Sequence, residues 1–466
     1  MDQREIRRYV TKGLYLFAEE MYDEAIAVYT NILEEGLEKS EVLYYRGRAY
    51  LEKGLIKEAI ADFNEALRED PVNSNILFYR GISYFSISLY QEAISDFSAS
   101  IRFDPLNIDA YFNSGLAYSL IGKYRDALRK FSKVIELNDT HAEAYFERGL
   151  IYLRDSLFDK AISDFSKVIQ LDSRSDKAYF NRADAYCRQG LHSKAISDYS
   201  SVIHIDNNNV DAYNNRGNIY RYLNMYDKAL SDFSKAIEIS PDDDVLYFNR
   251  AIAYEERGIY EQAISDYLQA VKINPRFKEA RFNCGRLFYH KQEFNNAIKQ
   301  FSSAIEIDAQ YVSAYFSRGK AFGMKKLYDE AIQEFSKVIK LESDHWKAYK
   351  NRAFYYAQKG MHEKAVTDYT YAIKVNKKDA TMYFNRAYSY EELKKYKKAM
   401  NDYNRAISLN RKYSDAYLNK GVLCEKIGSL EEAKKAFSLF VNYSKADDKN
   451  IDYVRNRLAK LSKRKI

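Results

Sequence analysis

The sequence is poor in the residue patterns that mark catalysis, metal binding or a disulfide framework. It has only three cysteines, Cys187, Cys284 and Cys424, at unrelated spacings, and six scattered histidines without an HxxxH pair. No Gly-rich phosphate loop and no GxSxG motif occurs. These absences argue against an enzyme, and we predict no catalytic residue, no metal site and no cofactor. Three unpaired thiols also favour a reducing compartment.

Long apolar runs are missing as well. No stretch approaches the ~18 consecutive apolar residues of a membrane span, and MDQREIRRYV places charges where a signal peptide needs its apolar segment. We therefore expect a cytoplasmic protein without a membrane partner. The net charge is only +7, and the seven basic and two acidic residues after position 447 supply most of it. The nearly neutral remainder makes nucleic acid an unlikely partner.

Proline is equally sparse, but its positions reveal a period. All four prolines share one phase of a 34-residue phrase: Pro71, Pro105, Pro241 and Pro275. A small residue recurs in every copy of the phrase: Gly13, Gly47, Gly81, Gly115, Gly149, Ala183, Gly217, Ala251, Gly285, Gly319, Ala353, Ala387 and Gly421. An alanine follows 12 residues after each of them. Thirteen copies without insertion or deletion are the signature of a stacked repeat.

Each copy contains two amphipathic helical stripes. In the copy Val210–Asp243, Tyr213, Gly217 and Tyr220 recur at helical spacing, and aromatic and alanine residues do so in the second half. Between the stripes, a glycine or Asn224 predicts a left-handed residue that ends the first helix. The prolines stop the second helix, and the small residues let the two axes approach closely. The prediction is an all-α chain of helix–turn–helix units.

The phrase resembles the tetratricopeptide repeat. With Ile6 as position 1 of repeat one, the small residue stands at position 8, alanine at 20, aromatics at 4, 11, 17 and 24, and proline at 32. The resemblance extends to about Asp447. It implies an α-solenoid wound into a right-handed superhelix, with the first helices lining the inner surface. We predict an N-terminal capping repeat over residues 1–39, twelve further repeats in a continuous array over 40–447, and a basic C-terminal capping helix over 448–466.

Arginine at position 7 and an acid at position 23 occur together in nine copies, and both are missing from the other four. On a helical wheel, each position lies on a flank of its own helix. We therefore predict an ion pair within each repeat, for example between Arg216 and Asp232. Pairing with the preceding repeat fits worse, because Arg46 would then face Val28.

Position 6 projects away from the core on the same wheel and is asparagine in eight copies. These asparagines are Asn113, Asn181, Asn215, Asn249, Asn283, Asn351, Asn385 and Asn419. An amide side chain carries a donor and an acceptor, as a peptide unit does. The row resembles the asparagine ladder inside the repeat domain of the O-GlcNAc transferase family, which implies an extended peptide held by its main chain. The alternative is a solvated polar position common in such repeats.

Copies three to five add apolar residues on the inward half of the first helices. They include Phe78, Ile82, Phe85, Phe112, Leu116, Phe146, Leu150 and Leu153. Later copies place Glu255, Glu256, Glu391, Glu392 and Glu425 at matching phases. An apolar stretch running into an acidic one would suit a partner with hydrophobic anchors and basic residues. The alternative is that these positions simply pack against adjacent repeats.

The expected function is a non-enzymatic scaffold that binds an extended or partly helical segment of another protein along its inner surface. The partner is a protein or peptide, and the chain is expected to be a monomer outside its assembly. The alternative is an architectural subunit of a multiprotein assembly that uses its convex face and its ends.

Overall fold

The computed structural model describes residues 3–35, 39–445 and 448–463. The remaining residues of the predicted segments, 1–2, 36–38, 446–447 and 464–466, lie outside the described residues. Within the described ranges there are 27 α-helices and no strand, and 80% of the chain is helical. None of these helices combines the length and the apolar character needed to cross a membrane.

Two compact units divide the chain, Met1–Met225 and Tyr226–Ile466. The first unit contains α1 (Gln3–Ala18), α2 (Tyr22–Glu34), α3 (Lys39–Glu52), α4 (Ile56–Glu69), α5 (Ser74–Ser86), α6 (Tyr90–Phe103), α7 (Ile108–Leu120), α8 (Tyr124–Leu137), α9 (Ala142–Arg154), α10 (Phe158–Leu171), α11 (Asp176–Arg188), α12 (His192–Ile205) and α13 (Val210–Tyr222). The second contains α14 (Tyr226–Ile239), α15 (Asp244–Glu256), α16 (Tyr260–Ile273), α17 (Lys278–His290), α18 (Phe294–Ile307), α19 (Val312–Met324), α20 (Tyr328–Leu341), α21 (Trp346–Gln358), α22 (His362–Val375), α23 (Ala380–Glu392), α24 (Tyr396–Leu409), α25 (Ser414–Lys426), α26 (Leu430–Tyr443) and α27 (Ile451–Lys463). Odd-numbered helices up to α25 are the first helices of the repeats, and the even-numbered helices are the second. The predicted solenoid class, a tandem row of helix pairs, is confirmed.

Position 8 is small because the ring at position 24 of the same repeat lies directly against it. A Cβ atom on Gly47 would lie 2.6 Å from Cε1 of Phe63, and one on Gly149 would lie 2.8 Å from Cε1 of Phe165. Both rings are fully buried. The glycines therefore let the two helices of a repeat close over one aromatic ring, which forms the centre of its core.

The residue at position 8 is matched to the ring at position 24. Every repeat with phenylalanine at 24 has glycine at 8. Four repeats combine alanine with tyrosine instead: Ala183–Tyr199, Ala251–Tyr267, Ala353–Tyr369 and Ala387–Tyr403. The two members of each pair belong to one buried cluster. Repeat one is the exception to this matching, because it combines Gly13 with Tyr29. The tyrosines of the four alanine–tyrosine repeats contribute to the functional site described below.

The turn between the two helices has a left-handed residue in all thirteen repeats. Six of these residues are glycines, such as Gly54 at φ 73°, and seven carry a side chain, such as Lys394 at φ 57°. The backbone N–H of Gly54 donates to the carbonyl of Leu51 at 2.9 Å and so ends the first helix. The left-handed turn that the glycines predict is therefore a property of every repeat, including those without glycine.

Neighbouring repeats pack mainly through the second helix of one repeat and the first helix of the next, such as α10 and α11. The first helices of neighbouring repeats also touch. Helix α3 contacts α5 and α17 contacts α19, whereas second helices of neighbouring repeats contact each other less. We call the surface formed by positions 2, 6, 9 and 13 of the first helices the first-helix face. In α17 its residues are Glu279, Asn283, Arg286 and His290.

The last described helix packs against the final repeat. Ile451, Val454 and Leu461 of α27 are buried in one cluster with Phe437 and Phe440 of α26. The apolar side of this helix therefore faces the array. The capping roles of residues 1–39 and 448–466 stay predictions.

Candidate functional site

The arginine at position 7 joins three helices. Nε and Nη2 of Arg182 in α11 donate to Oδ2 and Oδ1 of Asp198 in α12, at 2.7 and 2.9 Å. Nη1 donates to Oγ of Ser166 in α10 at 2.9 Å. The first two bonds tie the helices of one repeat, and the third ties that repeat to the preceding one. Because Asp198 is only 5% exposed, the ion pair is largely shielded from water.

The same ion pair forms in eight repeats, which confirms the predicted pairing within a repeat. The pairs are Arg46–Asp62, Arg80–Asp96, Arg148–Asp164, Arg182–Asp198, Arg250–Asp266, Arg318–Glu334, Arg352–Asp368 and Arg386–Asp402. The partners of Nη1 in the preceding repeat are Thr30, Asn64, Ser132, Ser166, Ser234, Ser302, Ser336 and Thr370. Nη1 of the ninth arginine, Arg216, donates to Oγ of Ser200 in the preceding repeat at 2.8 Å.

Sequence reasoning missed the bond to the preceding repeat, although the sequence carries its signal. Position 25 has a hydroxyl or an amide before every arginine-bearing repeat. Leu268 occupies it before repeat nine, where Cys284 replaces the arginine. The arginines therefore fix both the helix pairs and their stacking, and so hold the first-helix face in place.

Three of the eight asparagines bond to their own helix. Nδ2 of Asn113 donates to the carbonyl of Asp109 at 2.9 Å, and Asn181 and Asn351 make the same bond four residues back at 2.8 and 2.7 Å. All three side chains are half-exposed. Among the described residues they make no further hydrogen bond, so each amide keeps its oxygen and one N–H available to a ligand.

Asn215 and Asn283 lie beside a tyrosine hydroxyl of the preceding repeat. Nδ2 of Asn215 is 3.4 Å from Oη of Tyr199, and Nδ2 of Asn283 is 3.5 Å from Oη of Tyr267. Bonds of this length are weak. Tyr267 in turn donates to the carboxylate of Glu255 at 2.9 Å. Position 6 therefore reaches the core of its neighbour here, and the prediction that it points wholly away from the core is wrong for these two residues.

The two final asparagines lie near the tyrosine of the preceding repeat as well, but Oη of Tyr369 is buried without a hydrogen-bond partner among the described residues, and Oη of Tyr403 donates to Glu391 at 3.2 Å. Burial raises the pKa of Tyr369 and Tyr403, and the amides of Asn385 and Asn419 oppose that rise. The tyrosines beside these four asparagines, Tyr199, Tyr267, Tyr369 and Tyr403, are those of the four alanine–tyrosine repeats. Asn249, which follows a phenylalanine repeat, is half-exposed like the other seven asparagines. The structure thus places all eight at one position of the first-helix face, four of them beside a tyrosine.

The apolar residues of repeats three to five are partly committed to the core. The ring of Phe112 packs on Phe131 of the same repeat, and Phe146 packs on Phe165, each with centroids 5.7 Å apart. Leu153 is only 7% exposed, so it offers no surface to a partner. The other seven side chains of the predicted set are half-exposed: Phe78, Ile82, Phe85, Phe112, Leu116, Phe146 and Leu150.

Three of the glutamates expected to form an acidic inner stretch are engaged within the chain. The pairs are Glu255 with Arg286 at 3.3 Å, Glu391 with Lys426 at 3.8 Å, and Glu425 with Arg457 at 2.8 Å. Each pair joins neighbouring elements of the stack, and the glutamate side chains are 14–19% exposed. The expectation of a free acidic stretch is therefore wrong for these three residues.

The thiols and potential metal ligands give no sign of a reactive centre. Burial raises the pKa of Cys187 to about 11, and the carboxylate of Asp184 adds to the rise. Burial raises the pKa of Cys284 to about 12 and that of Cys424 to about 11. Thiols with such pKa values are poor nucleophiles at neutral pH. In the described part of the chain, no group of three or more His, Cys, Asp or Glu side chains is placed to hold a metal ion.

Family comparisons agree with this architecture. Models described as tetratricopeptide repeat match residues 10–74, 56–108, 112–176, 210–243, 245–277, 312–345, 380–413 and 414–447. One described as TPR repeat matches 183–221 and 285–326. These matches together span well over half of the sequence, and the chain belongs to the tetratricopeptide repeat family.

Several solved structures are similar. YrrB, described as a TPR protein with an unusual peptide-binding site, is 24% identical over 40% of this chain and 95% of its own, with a TM-score of 0.36. The Cut9–Hcn1 hetero-tetramer of the APC/C is 13% identical over 99% and 96%, with a TM-score of 0.38. The C-terminal part of a TPR repeat-containing protein from Cytophaga hutchinsonii is 22% identical over 51% and 97%, with a TM-score of 0.46. Comparison with curated proteins gives no significant match.

Proposed function

We propose that this chain is a scaffold whose first-helix face binds an extended or partly helical segment of a partner protein. Membership of the tetratricopeptide repeat family supports a role in protein interaction in general. The observation that carries the particular mode is the row of half-exposed asparagine amides, which occupy one position of the first helix in eight repeats.

The spacing of that row suits an extended main chain. Adjacent repeats lie on the order of 10 Å apart, and an extended peptide advances ~3.3 Å per residue. One asparagine therefore meets about every third residue of a bound segment. The amide oxygen accepts from a peptide N–H, and the amide N–H donates to a peptide carbonyl. Such contacts should not depend on the sequence of the partner.

The apolar residues of repeats three to five would add specificity. Phe78, Phe112 and Phe146 each keep part of the ring exposed beside the asparagine position. Leu120, at the end of α7, is 59% exposed. Such surfaces receive the hydrophobic anchors of a partner and contribute more binding energy than the polar row.

The test uses peptides that bind the full chain, found on an array of unrelated sequences of about 25 residues, which is long enough to pass repeats four to eleven at about three residues per repeat. The three asparagines that bond only to their own helix, Asn113, Asn181 and Asn351, are replaced together by alanine. At ~0.5–1.5 kcal/mol for each contact, affinity should fall at least about tenfold. The loss should be similar for unrelated peptides.

The matched control replaces three asparagines of the second helices by alanine. Asn31 in α2 and Asn401 and Asn404 in α24 are exposed, so the control should leave affinity unchanged. An unchanged affinity of the first variant, with native helical content, would overturn the proposed mode. A loss confined to one peptide sequence would do so as well.

The architectural alternative has a different outcome in the same experiment. A subunit that uses its convex face and ends would bind large folded partners and no short peptide. We further propose that the protein acts in the cytoplasm and is a monomer outside its assembly. The three free thiols support a reducing compartment.

A further inference from the structure

An open pocket of about 430 Å³ lies on the first-helix face where repeats nine and ten meet. Two phenylalanine rings, Phe282 and Phe316, form an apolar wall, and Arg286 and Lys320 bring two cationic groups. Serine and histidine side chains complete the lining, which contains no acidic residue. The pocket therefore combines an apolar surface with an excess of positive charge and hydrogen-bond donors.

The aromatic wall is fixed by packing behind it. Phe282 lies 5.7 Å from the ring of Phe301, and Phe316 lies 5.5 Å from Phe335. The break in the asparagine row falls at this place, because Ser317 occupies position 6 of repeat ten. Serine is smaller than asparagine and leaves room between the two first helices.

The charge of the pocket comes from position 9. Repeats nine and ten are the only two successive repeats in the sequence with a basic residue at position 9, Arg286 and Lys320. Arg286 shares its charge with Glu255 at 3.3 Å. Nζ of Lys320 lies 4.9 Å from the ring centroid of Tyr289, and no carboxylate of the described residues pairs with it. One positive charge of the pocket is therefore left uncompensated.

His345 adds a donor in a defined orientation. Its Nδ1 accepts the backbone N–H of Ala348 at 3.1 Å, and its ring lies 5.1 Å from Phe316. A neutral imidazole that accepts on Nδ1 carries its hydrogen on Nε2. The pocket thus offers an ammonium group, an imidazole N–H and serine hydroxyls within one aromatic surround.

We infer that this pocket binds the carboxylate side chain of a partner segment whose neighbouring apolar side chain packs on Phe282 and Phe316. A carboxylate offers only acceptors, which matches the donors of the lining. Hydrogen bonds between charged groups are also about twice as strong as neutral ones. The inference rests on the proposed function, because the acidic residue reaches the pocket as part of a segment along the first-helix face. The inference therefore predicts an acidic residue in the partner segment, whereas the acidic stretch expected from the sequence had predicted basic residues there.

The test selects 12-residue peptides from a random phage-displayed library on the full chain. Three proteins are compared: the wild type, Lys320→Glu, and the matched control Lys299→Glu. Both lysines are exposed and the charge change is equal, but Lys299 lies on the second helix α18. The wild type and the control should enrich Asp or Glu beside an aromatic or aliphatic residue, and Lys320→Glu should lose that enrichment.

A selected peptide then gives the affinity. Replacing its acidic residue by the matching amide should weaken binding to the wild type about tenfold and leave binding to Lys320→Glu unchanged. Lys320→Gln, which keeps most of the aliphatic stem, should lose about the same factor for the acidic peptide. Circular dichroism shows that each variant is folded.

The outcomes separate this inference from the proposed function. Selected peptides without acidic enrichment, or equal enrichment by Lys320→Glu, would overturn the assignment of the pocket and leave the binding face intact. A library that yields no peptide for any of the three proteins would overturn both.

Discussion

Arg182 holds Asp198 through two parallel hydrogen bonds, from Nε at 2.7 Å and from Nη2 at 2.9 Å, while both side chains are largely buried. The third guanidinium nitrogen reaches Ser166 of the preceding repeat. One side chain thus sets both the packing of the two helices within a repeat and the stacking of that repeat on the preceding one. A face built on such ties is pre-organised, which lowers the entropic cost of binding an extended segment.

Removing either member of this ion pair should destabilise the chain strongly. Because the partner would be left charged and buried, Arg182→Ala or Asp198→Ala should each lower the unfolding free energy by about 3–5 kcal/mol. The double variant should lose clearly less than the sum of the two. Urea unfolding followed by circular dichroism measures all three.

The control for that experiment is Arg188→Ala. Arg188 pairs with Asp184 at 3.0 Å on the surface and is 51% exposed, so its loss should change the unfolding free energy by less than about 0.5 kcal/mol. Strictly additive effects of Arg182→Ala and Asp198→Ala would show that the two side chains do not act as a pair.

The tyrosine at position 24 should be more than a larger phenylalanine in the alanine–tyrosine repeats. Tyr267→Phe removes the donor to Glu255 and the acceptor for Asn283, so it should cost about 1–3 kcal/mol of unfolding free energy. Tyr260→Phe is the control, because Tyr260 is 47% exposed. Equal stability of the two variants would contradict a structural role for the hydroxyl.

The sequence predicted the repeating parts of the fold and missed the contacts between repeats. The fixed period sufficed for the helix pairs, and the joint occurrence of arginine and acid sufficed for the pair of Arg182 with Asp198. The bonds of Arg182 to Ser166 and of Asn283 to Tyr267 were missed because a helical wheel describes one helix and not the next repeat. Leu153 was misjudged for the same reason, since its burial depends on neighbouring repeats.

The left-handed turn residues allow a prediction about stability. Lys394 is exposed and has φ 57°, a conformation that strains a residue with a Cβ atom by roughly 1–2 kcal/mol. Lys394→Gly should therefore raise the unfolding free energy slightly, by up to about 1 kcal/mol. Gly360→Ala, at φ 72°, should lower it by about 1 kcal/mol. Thermal unfolding of both variants checks the signs, and two shifts in the same direction would contradict the argument.

Cysteine alkylation should report the burial of the thiols. Burial raises the pKa of Cys187 to about 11, so the thiolate is scarce at pH 8. Its reaction with iodoacetamide should accelerate about tenfold per pH unit from pH 8 to 10. In the urea-unfolded chain the rate should level off near pH 9, close to the ordinary pKa of about 8.5.

The same shift has a consequence for stability. A thiol with a raised pKa in the folded state contributes stability that is fully present below about pH 8.5 and is lost as the pH rises towards 11.

In the alkylation experiment, peptide mapping by mass spectrometry measures the rate of Cys187 separately from the rates of the two buried cysteines. A rate that levels off near pH 9 in the folded chain would contradict the burial argument.

Hydrogen–deuterium exchange of the full chain, with and without a peptide selected on the array, tests most directly whether the first-helix face is the binding surface. The account predicts slower exchange in successive first helices, such as α7, α9 and α11, when the peptide is bound. Exchange in the second helices between them, α8 and α10, should be unchanged. Protection confined to second helices or to the terminal helices would contradict the account and favour an architectural subunit.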